Sequence, residues 1–315
     1  MPWDPIRMNS GKYYSPHSVS HPTRSLFGYA GHSIPSIAFG TWSLGNGQNP
    51  IDQLTHVLQN GFNHIDTAQA YGNEAEVGTA LRESGRSRAD VFITTKYSST
   101  NGLDIDMSIR NSIANLGVDY VDLYLIHERH LAVPDIPTAW AKMESIKEAG
   151  LARSIGVSNF NEEDLEILLA SAKIKPVVNH LLLHPYVYHR QRPAMEYAAK
   201  HGIVIGAYMT LTPITHQPGG PLDAPLNAIA SRLGATTDQV LFAWTKAKGA
   251  VVITTSSKKP RLRGYLTAGD IGTPFTGLSF FSAQCAMMNF PELTQQDIGA
   301  IDAAGAMGEE VWTQN

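Results

Sequence analysis

The chain has 315 residues, 43% apolar and 17% charged, a composition that supports a large buried core and contains no long polar tract. Its 24 basic and 28 acidic side chains give a formal charge of −4, which excludes a general attraction to nucleic acid or an anionic membrane but leaves room for a basic pocket holding one small anion. No apolar run approaches the roughly 20 residues of a membrane span, and Cys285, the only cysteine, rules out intrachain disulfides, so a reducing, cytoplasmic setting is the simplest expectation.

In chain order, residues 1–35 read as an extension. Met1-Pro2-Trp3-Asp4-Pro5 lacks the basic flank and apolar segment of a secretory signal. From about residue 36 to residue 256 the chain alternates short β-rich runs with helix-period stretches. The predicted strands are Ser36–Trp42, His64–Ala68, Val91–Lys96, Val121–His127, Ser154–Asn159, Val177–His184, Val204–Met209 and Val251–Ser256. Between them the pattern predicts helices over Ile51–Asn60, Glu74–Ser84, Asp106–Leu116, Pro137–Ala149, Glu162–Ser171, Arg192–His201 and Leu226–Leu233, several followed by a glycine suited to a left-handed C-cap. This order favours an α/β fold, a (β/α)8 TIM barrel forming one domain over residues 36–315, with residues 1–35 as an extension or a hairpin at the barrel floor. An open doubly wound sheet is the alternative, weakened because Gly40-Thr41-Trp42-Ser43-Leu44-Gly45 lacks a G-x-G-x-x-G turn. The tail beyond residue 265 is rich in Gly and Ala and ends in a predicted helix, Gln295–Ala304; Ala268–Pro291 has no clear period and reads as a rim loop.

Polar residues terminate apolar strands: Asp66 ends one, Lys96 the next and His127 the third. In a barrel these ends share the C-terminal face, where active sites are built, and Tyr71 follows Asp66 closely enough to lean over the mouth. Any one of the four is an ordinary loop polar group, but together they make a tuned phenol. Tyrosine is a poor acid near neutrality unless a neighbouring ammonium stabilises its phenolate. Lys96 supplies that ammonium, Asp66 fixes it by a buried ion pair, and neutral His127 orients a substrate oxygen. Such a group protonates a carbonyl oxygen as hydride reaches its carbon, without a metal.

The run Asp66-Thr67-Ala68-Gln69-Ala70-Tyr71-Gly72-Asn73-Glu74 resembles the D-T-A-x-x-Y-x-N-E signature of the aldo-keto reductases. The likeness extends over roughly residues 36–305 through Gly40-Thr41-Trp42, Leu125-Ile126-His127, Gly156-Val157-Ser158-Asn159-Phe160 and His184-Pro185-Tyr186. It implies an extended NADPH (NADP+ in the reverse direction, NADH as a possible substitute) and Tyr71 as proton donor. It also implies that Ser158 and Asn159 bond the nicotinamide carboxamide, that Tyr208 stacks on the ring, and that Gly40, Thr41, Asp66 and Leu211 run along the cofactor. His180 replaces the usual carboxamide-binding Gln, Leu182 a usual Glu, and Met209-Thr210-Leu211-Thr212-Pro213 the usual pyrophosphate loop.

After the eighth strand, Thr255 stands where the family has a phosphate-binding Lys. Ser256, Ser257, Lys258 and Arg261 are the compensating candidates, and Lys258, Lys259, Arg261 and Arg263 favour a 2′-phosphate over a bare ribose. This variant resembles a fungal-type branch acting on α-keto amides, ketolactones and conjugated ketones. Trp42, Tyr71 and His127 are the expected substrate pocket. Glu128, Arg129 and His130 make the rim polar, consistent with an aldose, keto acid or ketoamide, and Phe275, Phe280, Phe281 or Met288 are lid candidates. The expected partner is a small carbonyl compound, with no nucleic acid or membrane, and the resemblance implies a monomer. An NAD-dependent sugar or alcohol dehydrogenase running the same chemistry backwards, and a non-catalytic channel subunit, are the competing readings.

Overall fold

The computed structural model describes residues 23–25, 33–267 and 293–308. Strands β1 (Thr23–Ser25) and β2 (Ser33–Pro35) form an antiparallel pair separate from the main sheet. The main sheet is a closed parallel barrel of β3 (Ile37–Gly40), β4 (His64–Asp66), β5 (Phe92–Tyr97), β6 (Val121–Ile126), β7 (Ala152–Ser158), β8 (Val178–Leu182), β9 (Val204–Tyr208) and β10 (Ala250–Thr254), in which β10 returns to pair with β3. All eight predicted strands are present, and closure excludes the open doubly wound sheet. Seven of the eight end one or two residues before the predicted bound, while β5 runs one residue past Lys96 to Tyr97.

Alternation of side chains along each strand creates two cores. Ile34, Leu123, Leu125, Val178 and Val251 pack inside the barrel, Ile34 entering from the extension. Phe39, Ile65, Tyr124, Ile126, Ile155, Val157 and Leu181 face outward under the helices. Inside, large and small residues alternate: His180 is paired in register with Gly206, where an added Cβ would lie 2.5 Å from the His180 Nε2. Gly206 thus makes room for a barrel-filling imidazole.

The outer helices are α1 (Gln48–Gln59), α2 (Glu74–Glu83), α3 (Ile105–Leu116), α4 (Ile136–Glu148), α5 (Glu162–Ser171), α6 (Tyr188–Lys200), α7 (Thr212–Thr215), α8 (Asp223–Leu233), α9 (Thr237–Ala247), α10 (Lys259–Thr267) and α11 (Gln295–Met307). Their starts follow side-chain caps: Asp104 accepts from the Met107 N–H and Asp135 from the Thr138 N–H, while Asn161 and Thr236 form capping boxes with Asp164 and Gln239. Gly117 and Gly234 end α3 and α8 in the left-handed conformation, at φ 63° and 61°. Helix α9 buries the unbroken run Val240–Thr245 between α8, α10 and β10, with its partly exposed residues confined to the two ends. The α6 helix begins at Tyr188 rather than Arg192, with Pro193 inside it instead of at its first turn. The predicted rim loop Ala268–Pro291, its lid candidates Phe275, Phe280, Phe281 and Met288, and Cys285 lie outside the described residues, as does most of the 1–35 extension.

Candidate active site

Strands β4, β5 and β6 bring their terminal polar groups together. The Lys96 Nζ donates to Asp66 Oδ1 at 2.5 Å and to the Thr67 carbonyl at 2.9 Å, and lies 3.4 Å from the Tyr71 hydroxyl. Asp66 and Lys96 are each 3% exposed, so water does not compete for the pair. Tyr71 reaches the ammonium from the short 3-10 turn Gln69–Tyr71, and its ring meets His127 edge to face at 5.6 Å.

Burial pushes the Lys96 ammonium down, yet Asp66 and Tyr71 together hold it above its ordinary value. Burial and the Lys96 charge lower His127 to about 3, so its ring is neutral at pH 7. Burial raises the Tyr71 phenol, and Lys96 pulls on it in the expected direction without overcoming that larger effect. Tyr71 therefore rests as a protonated donor, and the Lys96 charge acts on the phenolate only when it forms.

One partner escaped the sequence reading: Ser98, two residues beyond Lys96, has its Oγ 2.8 Å from His127 Nδ1. With Ser98 donating to Nδ1, Nε2 carries the ring hydrogen and is left as a donor. Ser98 lies just past the end of β5 (Phe92–Tyr97), and no spacing in the sequence singles it out.

The four residues sit in a cavity of about 610 Å³ that runs from Trp42, Tyr71 and His127 past Tyr208 and Leu211 to Ser256, Ser257, Lys258 and Arg261. Gly40, Ser158, Asn159 and His180 also line it. Thr41 does not. It is fully buried, its Oγ1 bonding Thr67 Oγ1 at 2.9 Å and Asn73 Oδ1 at 3.1 Å, so it braces the turn that carries Tyr71 rather than touching a ligand. Of the four basic residues after β10, Lys258 and Arg261 line the cavity, whereas Lys259 and Arg263 lie close enough to His56 that, after burial, their charges help lower its pKa. Tyr265 completes that end of the cavity from the buried face of α10, a helix that its run of basic residues disguised as a loop.

Asn159 holds a left-handed backbone, φ 61°, which Asn tolerates better than most residues. Its Oδ1 accepts from the Tyr208 hydroxyl at 2.8 Å, and its Nδ2 donates to Glu128 Oε1 at 2.8 Å. Met209, next to Tyr208, is also left-handed at φ 56°. Two of the five left-handed non-glycine residues among the described ones thus line the cavity. His180 Nδ1 and Asp66 Oδ2 are both buried without a hydrogen-bond partner among the described residues and face each other at 3.7 Å.

Comparison with known proteins places this arrangement. The model of the Aldo/keto reductase family matches residues 36–276. An NAD/NADP-dependent indole-3-acetaldehyde reductase of Schizosaccharomyces pombe is 37% identical over 219 residues, covering 68% of this chain and 76% of the relative. The fold superposes on an aldo/keto reductase from Brucella melitensis with a TM-score of 0.73 at 31% identity, covering 90% of this chain and all of the other. A Bombyx mori aldo-keto reductase solved in complex with NADP gives a TM-score of 0.75 at 26% identity, over 91% and 94% of the two chains. The chain belongs to the aldo/keto reductase family.

Proposed function

We propose that this chain is an NADPH-dependent reductase of aldehydes and ketones in which Tyr71 donates the proton, Lys96 and Asp66 support it, and His127 orients the substrate oxygen. The observation that carries the reading is the Lys96 Nζ held by Asp66 at 2.5 Å and lying 3.4 Å from the Tyr71 hydroxyl, inside a cavity of about 610 Å³. The fit to the cofactor rests on the shared lining of the cavity, with Ser158, Asn159, His180 and Tyr208 beside the catalytic candidates and Ser256, Ser257, Lys258 and Arg261 on the loop after β10. The NADP in the Bombyx mori structure and the NAD/NADP name of the Schizosaccharomyces pombe relative support the same assignment.

When bound, the reduced nicotinamide supplies a hydride to the carbonyl carbon. Ser158, Asn159 and His180 are the candidates to hold its carboxamide, Tyr208 to stack on its ring, and Lys258, Arg261, Ser256 and Ser257 to hold the 2′-phosphate. A carbonyl oxygen seated between Tyr71 and His127 accepts hydrogen bonds from both, which favours the polarised form over the ground state. As charge develops on that oxygen, Tyr71 releases its proton to it, and Lys96 stabilises the phenolate left behind. Asp66 keeps the ammonium in place without water. A monomer in a reducing cytoplasm is the setting we attach to this reading, the compartment being suggested by the single cysteine of the sequence.

Tyr71→Phe tests the assignment, because it removes the donor and leaves the ring. Turnover of an aromatic aldehyde should fall by about two to four orders of magnitude, the usual range for a general acid. NADPH affinity, followed by quenching of protein fluorescence, should stay within a few-fold. Near-normal turnover in this variant would refute Tyr71 as the donor.

A further inference from the structure

The rim beyond His127 was read from sequence as uniformly polar, but the structure divides it. Arg129 turns away, its Nε bonding Asp164 Oδ1 at 2.9 Å at the start of α5. His130 is exposed and does not line the cavity. Glu128 does line it, half-buried beside His127, and its Oε1 is fixed by Asn159 Nδ2 at 2.8 Å. Its Oε2 has no hydrogen-bond partner among the described residues and no Lys or Arg there pairs with the carboxylate; burial raises its pKa, while the Asn159 bond and a charged His130 nearby pull it back.

The other charges of the cavity are accounted for. Lys96 is neutralised by Asp66, and Lys258 and Arg261 lie at the opposite end. We infer that Glu128 is a specificity-determining residue that turns away carbonyl substrates bearing a carboxylate and favours neutral or cationic ones. The inference rests on the proposed reduction at Tyr71 and His127: a carbonyl seated there places its substituents beside the next residue along the chain, Glu128. A carboxylate arriving at that position meets a like charge in a partly dehydrated cavity, with no Lys or Arg paired to Glu128 to offset it. A hydroxyl or ammonium substituent meets an acceptor whose second oxygen is unused, already oriented through Asn159. Keto acids, which the polar rim of the sequence admitted, are therefore poor substrates, while hydroxylated or amine-bearing aldehydes and ketones are accepted.

The test uses benzaldehyde, 4-carboxybenzaldehyde and 4-(trimethylammonio)benzaldehyde with NADPH, in the wild-type protein and in Glu128→Gln, which retains an acceptor for Asn159 and removes the charge. The wild-type protein should give kcat/KM lower for the carboxylate than for benzaldehyde. In Glu128→Gln the carboxylate-to-neutral ratio should rise about tenfold and the cation-to-neutral ratio should fall, as expected for removing one charge across a short partly buried distance. Calorimetric Kd values of the three product alcohols for the NADP+ complex should move in the same sense, independently of turnover. Reduction of benzaldehyde with unchanged ratios in Glu128→Gln, or a wild-type preference for the carboxylate, overturns the inference alone. Failure of all three aldehydes to oxidise NADPH overturns the proposed function together with it.

Discussion

Buried histidines couple this active site to the stability of the barrel. Burial lowers His64 and His127 to about 3, and His184 to about 4. His180 is also held well below its ordinary value, by burial first and then by the Lys96 charge. Each is neutral when folded and takes up a proton near pH 6.5 when unfolded. Below that pH the unfolded chain binds more protons, so the stability these groups contribute is complete above pH 6.5 and is lost as pH falls toward the folded values. For His64, His127 and His184 the loss amounts to about 3 kcal/mol between pH 6.5 and 5.5, a large share of a typical folding free energy. Urea midpoints measured at pH 7.5, 6.5 and 5.5 should decline steeply over the last interval, and a flat profile would contradict neutral buried rings. At this scale the sequence was informative where chemistry sets the position. Asp66, Lys96 and His127 end strands, and a titratable group at the end of an apolar run is visible without coordinates. Thr41, Ser98 and Tyr265 were misread or missed because their roles depend on which way a side chain turns, which neither spacing nor composition specifies.

Among the elements, the turn that delivers Tyr71 leads directly into α2, and α2 is held against α3 by an absence of side chain. Gly78 faces the last turn of α3, where an added Cβ would lie 2.7 Å from the Leu116 carbonyl carbon. That neighbour is backbone, so it yields only if the helices separate. Gly78→Ala would gain about 1 kcal/mol of helix propensity in isolation, but the overpacking outweighs it, with a net destabilisation of about 1–3 kcal/mol. Thermal unfolding should report a lowered Tm, while kcat for an aldehyde at 25 °C changes little, because the Asp66–Lys96 pair is anchored in the strands. A raised Tm would show that α2 and α3 are not in close contact. Gly78 also illustrates what was legible. Helices with one apolar stripe and a cap, such as α3 to α5, were predicted within a residue or two. Helix α9, whose middle is the unbroken buried run Val240–Thr245, and α10, whose Leu262 and Tyr265 are masked by Lys259, Arg261 and Arg263, were not, since a continuous apolar run reads as a strand as readily as a helix and a crowded cationic face hides a period. The strands were found because a parallel barrel buries both faces of every strand.

Across the whole molecule the barrel separates two electrostatic tasks within one cavity. The chain carries a formal charge of −4, yet Lys258 and Arg261 stand at one end of the cavity, and Glu128 at the other. The loop following β10 brings the cations in, and the loop following β6 brings the carboxylate. These strands lie on different sides of the closed sheet, so the two ends can be altered separately. Replacing Lys258 and Arg261 together by Ala should weaken NADPH binding by about tenfold to a hundredfold, the loss expected for charge-assisted contacts to a phosphate. Binding of NADH, which has no 2′-phosphate, should weaken by no more than a few-fold. The Asp66–Lys96 geometry should be untouched, so the maximal rate with saturating NADPH should stay near the wild-type value even as KM for the cofactor rises. Salt sharpens the test: raising ionic strength should weaken NADPH binding to the wild-type protein more than to the double variant, since only the former uses exposed cations. Equal weakening of NADPH and NADH would show that this loop holds a part of the cofactor common to both and that phosphate recognition lies elsewhere in the cavity.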